Sequence, residues 1–167
     1  VVHRDVKPGN ILMARDGSVK LTDLGLARPS NEDTQMTLPG EVLGTPAYMS
    51  PEQCRGETLD GRSDLYSLGA TLYAALAGIP PFKAANTASL LHKVLNDQPP
   101  SLAARMPCLS EPVVALVKRL MAKHPGARIQ SGKEVVEAIQ AIETIGLRDD
   151  AAPRKARKEA VTKEAEF

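Results

Sequence analysis

His3-Arg4-Asp5-Val6-Lys7-Pro8-Gly9-Asn10 opens the chain, and Asp23-Leu24-Gly25 answers it thirteen positions after Asn10. Residue by residue the stretch is ordinary. Together it supplies a carboxylate at Asp5, an ammonium at Lys7, an amide at Asn10 and a second carboxylate at Asp23. Between the two groups, Ile11-Leu12-Met13 and Val19-Lys20-Leu21 flank Asp16-Gly17. Asp-Gly between short apolar runs is the strongest local hairpin signal. Such a hairpin returns the chain to its start and sets Asn10 beside Asp23. Val1-Val2 reads as the end of a buried strand feeding the first loop.

Outward from this stretch the chain reads as mainly α. Residues 63–77 carry Leu65, Leu68, Leu72 and Leu76 at three- and four-residue steps, and Tyr66, Ala70, Tyr73, Ala74 and Ala75 leave almost no polar face. A helix apolar all round is buried, so this one is expected to form the core and to stop at Gly78 and Pro80-Pro81. A second helix is expected over 87–96. A third is expected over 110–123, with Ser110 as cap and Val113, Leu116, Val117 and Leu120 as its stripe. Prolines 99, 100 and 107 mark the connection between them as open loop. A fourth begins at a capping box, Ser131 to Glu134, carries Val135, Ile139, Ile142 and Ile145, and is expected to stop at Gly146. Residues 26–49 have little periodicity and many loop formers; a structureless stretch of that length tends to be functional.

Composition narrows the classes. With 43% hydrophobic and 25% charged residues the chain is of globular type, and its net charge of +1 gives no general pull toward nucleic acid. Cys54 and Cys108 stand in no metal-ligand spacing and read as two reduced thiols. No apolar run approaches the roughly 18 residues of a membrane helix and no signal peptide precedes the motif, so the expected location is cytoplasmic, although a longer parent could carry an anchor. From residue 147 the composition turns to Arg, Lys, Asp, Glu and Ala. The expected division is a domain over 1–146 and a charged, helical or disordered tail over 147–167. The tail reads as a solvated linker, with a membrane-proximal basic segment as the alternative.

His-Arg-Asp-x4-Asn followed by Asp-x-Gly resembles the catalytic and metal-binding loops of serine/threonine protein kinases. The resemblance covers residues 1 to about 146 and implies the helical C-terminal lobe of that fold, with a small β-hairpin beside the catalytic loop and about four helices. The implied activity is transfer of the γ-phosphoryl group of ATP, with Mg2+, to Ser or Thr hydroxyls of proteins. Asp5 is then the catalytic base, Lys7 balances charge on the moving phosphoryl group, and Asn10 and Asp23 hold Mg2+ through oxygen, as that hard cation prefers. His3 is implied to be structural. Arg4, just before the base, resembles kinases switched by phosphorylation of the following loop, because guanidinium pairs bidentately with phosphate. Thr34 and Thr37 are both candidates for that phosphate, whereas Thr45 is implied to touch Asp5 and Lys7 and position substrate. Gly44-Thr45-Pro46-Ala47-Tyr48-Met49-Ser50-Pro51-Glu52 resembles the peptide-positioning loop and closing Ala-Pro-Glu of the family, with Ser50 in place of Ala. Three distant residues complete the pattern. Glu52 is expected to pair with Arg128 in a buried ion pair, and Asp64 to receive backbone amides of the catalytic loop. His124 stands where the family has an Asp before Pro125, which leaves one local cap to be accounted for.

No Gly-x-Gly-x-x-Gly occurs in these 167 residues, nor does a strand lysine and helix glutamate upstream of the catalytic loop. Two functions are therefore weighed. The first is a kinase C-lobe that works with its N-lobe or a complementing partner, and is inactive on its own. The second is a non-catalytic kinase-like binding module or decayed fragment. The identities of Asp5, Asn10 and Asp23 favour the first, since binding alone does not require them.

Overall fold

The computed structural model describes residues 1–23 and 46–151. The hairpin forms where Asp16-Gly17 places it: β1 (Ile11–Met13) pairs antiparallel with β2 (Val19–Leu21), in the register Ile11 with Leu21 and Met13 with Val19. Its turn is closed by the Gly17 amide on the Ala14 carbonyl and the Ser18 amide on the Asp16 carboxylate. Gly17 has φ +82°, a left-handed conformation that glycine adopts without steric cost.

Six helices follow among the described residues: α1 (Pro51–Arg55), α2 (Gly61–Ala77), α3 (Thr87–Asn96), α4 (Leu102–Arg105), α5 (Glu111–Leu120) and α6 (Gly132–Ala151). Four match the helices expected, α3 with the bounds expected and the other three with changed ends; α1 and α4 are additional short turns. The Pro99–Pro107 connection is not open throughout, because Leu102 is buried in the core and draws α4 around it. The third helix ends at Leu120 rather than at 123, and Ser110 sits at its N-cap without a side-chain bond.

The central helix is α2, yet its leucines are not the buried face. Tyr66, Ala70 and Tyr73 are the fully buried apolar residues of α2, packed with Phe82, Val94, Leu102, Val117 and Met121. Leu65, Leu68 and Leu72 lie half-buried at the edge of a second cluster built from Leu116, Leu120, Ile129 and Val135. A helix apolar on every side carries no information about which side faces in, and the neighbours choose. Here α5 chooses, by approaching at Gly69, where a Cβ would fall 2.7 Å from Leu120 Cβ and 2.9 Å from Met121 Cγ.

Helix α6 also differs from expectation. Val135, Ala138 and Ile142 pack on the core, while Ile139 and Ile145 are exposed. The helix continues through Gly146 to Ala151, so the division at 146 falls inside one helix. A single glycine costs a helix only about 1 kcal/mol, less than the turn geometry needed to end it. The expected capping box at its start forms only in half: the Ser131 hydroxyl accepts the Glu134 amide at 3.2 Å but donates to the Glu134 carboxylate at 3.1 Å, instead of that carboxylate accepting the Ser131 amide. Gly78 does terminate α2, at φ +71°.

Gly69→Ala should lower stability by about 1–2 kcal/mol, overpacking at Leu120 outweighing the gain in helix propensity. Urea denaturation of the chain tests this, and an unchanged or raised midpoint would contradict the close approach of α2 and α5.

Candidate active site

Residues 3–10 form a tight loop seated on α2 and closed by a 3-10 turn at Pro8–Asn10. Asp64, in the first turn of α2, accepts the backbone amides of His3 at 2.8 Å and Arg4 at 2.9 Å, one on each carboxylate oxygen. The carboxylate thus does what was expected of it, and more than a first-turn acid needs for the helix dipole. His3 is buried, and its Nε2 lies 3.1 Å from the carbonyl of Thr22 on the returning strand. One imidazole therefore ties the first loop to the residue before Asp23.

Within the loop, Asp5 is the centre. Its Oδ2 accepts Lys7 Nζ at 2.7 Å and Asn10 Nδ2 at 2.9 Å. The same Asn10 amide nitrogen donates to the Asp5 carbonyl at 2.8 Å. Two acceptors around one end of the carboxamide identify that end as nitrogen, leaving the oxygen of Asn10 for another donor or a cation. Among the described residues Oδ1 of Asp5 takes no hydrogen bond. The Thr22 amide and hydroxyl both donate to the Asn10 carbonyl, at 2.8 and 3.1 Å, so the hairpin does deliver Asp23 next to Asn10. Asp23 is exposed, with φ +67°.

Mg2+ needs only one or two carboxylates besides phosphate oxygens and water. The exposed Asp23 carboxylate and the Asn10 side-chain oxygen, which takes no hydrogen bond among the described residues, fit that requirement. No cluster of three His, Cys, Asp or Glu side chains occurs among the described residues, and this site does not call for one.

Arg4 has φ +70°. For a residue with a Cβ this conformation costs on the order of 1–3 kcal/mol and persists only where the surroundings hold it. Arg4 Nε is buried with no acceptor among the described residues. Gln53 went unnoticed in the sequence; its Nε2 donates to the Arg4 carbonyl at 2.8 Å. The only local hint was Ser50-x-x-Gln53 ahead of a helix, which reads as a capping box and says nothing of a distant contact.

Glu52 and Arg128 meet as expected. The guanidinium is bidentate, with NH1 2.6 Å from Oε1 and NH2 2.7 Å from Oε2. Ser63 donates to Oε1 at 2.6 Å, and Arg128 also reaches the carbonyls of Arg62, Ala122 and Lys123. Its plane lies 5.0 Å from the ring centre of Tyr66. The pair locks α1, α2 and the end of α5 together. Before Arg128, the His124 side chain accepts the Gly126 amide at 3.1 Å through Nδ1, so imidazole supplies the cap for which the family pattern has Asp. Leu24, Gly25, Thr34, Thr37 and Thr45 lie outside the described residues.

The fold and this loop define a protein kinase, and comparison with known proteins agrees: the protein kinase domain family matches residues 1–141, and the chain belongs to that family. It is 39% identical over 135 residues to serine/threonine-protein kinase PknB of Mycobacterium leprae, covering 81% of this chain and 22% of that protein. Identity to the PknB of Mycobacterium tuberculosis is 40% over 136 residues, with the same coverage. A probable serine/threonine-protein kinase of Streptomyces coelicolor is 37% identical over 142 residues, 84% of this chain and 21% of that one. The resemblance is thus to bacterial serine/threonine kinases, and the chain spans about a fifth of the length of these curated relatives.

Burial pushes the Glu52 carboxyl up, but the hydrogen bonds of Arg128 and Ser63 outweigh it and hold the group below its ordinary 4.5. A carboxyl lowered by folding stabilises above the unfolded value and loses that contribution as pH falls through the folded one. Urea midpoints should therefore drop below pH 4.5, and Glu52→Gln should remove that part of the slope. At neutral pH, Arg128→Met leaves an unpaired buried charge and should cost about 3–5 kcal/mol; a loss under 1 kcal/mol would show that the pair does not hold the fold.

Proposed function

We propose that this site transfers the γ-phosphoryl group of Mg-ATP to Ser or Thr hydroxyls of proteins, with Asp5 as the base. The observation that carries the reading is the division of labour on Asp5. Oδ2 is occupied by Lys7 and Asn10, which leaves Oδ1 to accept the hydrogen bond of an incoming hydroxyl. The carboxylate then aligns that oxygen for in-line attack and receives its proton as the bond to the leaving ADP oxygen breaks.

Lys7 would neutralise charge growing on the phosphoryl oxygens, while its contact with Asp5 keeps it over the site. The Asn10 oxygen and the Asp23 carboxylate would hold Mg2+, which would supply charge neutralisation on the phosphates. Arg4 Nε, without an acceptor among the described residues, supports a second role in the same loop: a phosphate on Thr34 or Thr37 would provide one. Substrate placement by Thr45 belongs to the same proposal.

The side of a kinase site that covers the phosphates forms no part of these 167 residues. Exposed Leu12, Met13, Val19 and Leu21 on the hairpin support a complementing lobe or partner at that end. A purely binding role would not require acceptor oxygens at Asn10 and Asp23 or a half-bonded carboxylate at Asp5. Among the described residues no helix is long and apolar enough to cross a membrane.

By itself the chain is expected to bind Mg-ATP more weakly than micromolar; micromolar binding by calorimetry, abolished in Asp23→Ala, would overturn that. Fused to the nucleotide-covering lobe of a PknB relative, it should phosphorylate a Ser/Thr protein substrate. In that fusion Asp5→Asn should lower kcat by about 10²–10⁴-fold with the circular dichroism spectrum unchanged. Full activity of the variant would remove Asp5 from its role.

A further inference from the structure

Asp5 is presented by Arg4, and Arg4 is strained, with φ +70°. Two peptide planes meet at the Arg4 Cα, and its conformation is set only if both are held. The plane before it carries the Arg4 amide, which Asp64 accepts at 2.9 Å. The plane after it carries the Arg4 carbonyl and the Asp5 amide. At one end of that plane the carbonyl accepts Gln53 Nε2 at 2.8 Å, and at the other the Asp5 amide points to His3 Nδ1 at a long 3.3 Å. The Gln53 bond is the shorter of the two, and it comes from another element.

Gln53 is also bonded at its other end. Its Oε1 accepts the Ser50 amide at 3.0 Å, and its own amide bonds the Ser50 hydroxyl at 3.3 Å. One carboxamide therefore spans from the residue that ends the peptide-positioning loop to the peptide plane that aims Asp5. Asparagine is a methylene too short to bridge the same gap, and glutamate could cap Ser50 but has no hydrogen to give Arg4.

We propose that Gln53 is a positioning residue for the Asp5 base: it clamps the Arg4–Asp5 peptide plane to the start of α1, so that the two loops keep one register. The proposal rests on the reading of Asp5 as base for its catalytic meaning, but the clamp itself is readable without turnover. It differs from helix capping, which needs only the Ser50 half of the contact.

Amide exchange followed by NMR at neutral pH separates the two. Gln53→Glu keeps an acceptor for the Ser50 amide and replaces the donor facing Arg4 with a repelling oxygen. It should speed exchange of the Asp5 amide at least 10-fold while α2 core amides stay within twofold of the wild type. Gln53→Met, which loses both bonds without adding charge, should do the same. Ser50→Ala removes the hydroxyl half of the cap and should leave the Asp5 amide within twofold. If both Gln53 variants leave that amide unchanged, or if Ser50→Ala speeds it as much as they do, there is no clamp. In the fusion kinase, Gln53→Glu should lower kcat at least 10-fold with the KM for ATP unchanged. A rise in KM at constant kcat would overturn the positioning role while leaving that of Asp5 intact, whereas an active Asp5→Asn would remove the base and leave the exchange result standing.

Discussion

The Asp64 carboxylate, bonded to two consecutive amides of the loop over residues 3–10, is the contact on which the candidate site depends. The bonds within the loop join Asp5 to Lys7 and Asn10, but the amides of His3 and of the left-handed Arg4 are held from outside it. Carboxylates are strong acceptors of backbone amides, and this one stands in the first turn of the buried helix α2. Everything the loop offers is measured from that point: the Asp5 carboxylate, the Lys7 ammonium locked to it and the Asn10 amide beneath both.

The core exists to keep α2 still. Tyr66, Ala70 and Tyr73 face one cluster, and Gly69 lets α5 close to backbone distance. The Glu52–Arg128 pair then fastens α1 to the far side of α2 through Ser63 and three carbonyls. Buried ion pairs are poor sources of net stability but costly to break. That suits a role in fixing one arrangement of three elements. Since α1 also carries Gln53, the same pair indirectly supports the plane that aims Asp5.

Parts of this were legible from local pattern. Asp16-Gly17 announced the hairpin, and the hairpin alone explains why Asn10 and Asp23 become neighbours. Ser131 and Glu134 announced the start of α6. Glu52, Asp64 and Arg128 could be paired with their partners only because the motif they share with kinases carries that information; periodicity says nothing about contacts 61 or 76 positions apart. The leucines of α2 misled because a uniformly apolar helix has no inside until its neighbours arrive. Gly146 misled because a glycine permits a helix end without demanding one.

The order of residues by itself determined which groups the loops carry: two carboxylates, a cation and an amide, joined by a turn whose conformation Asp-Gly favours locally. Those are short-range properties, and a chain states them wherever it lies. Only the tertiary structure decided which face of α2 is core, that His124 caps where the family pattern has Asp, and that Gln53 reaches Arg4. Each of these depends on the approach of elements distant in sequence. The opening stretch therefore marks the kinase family in eight letters, while the loop that carries Asp5 is held by α1 and α2.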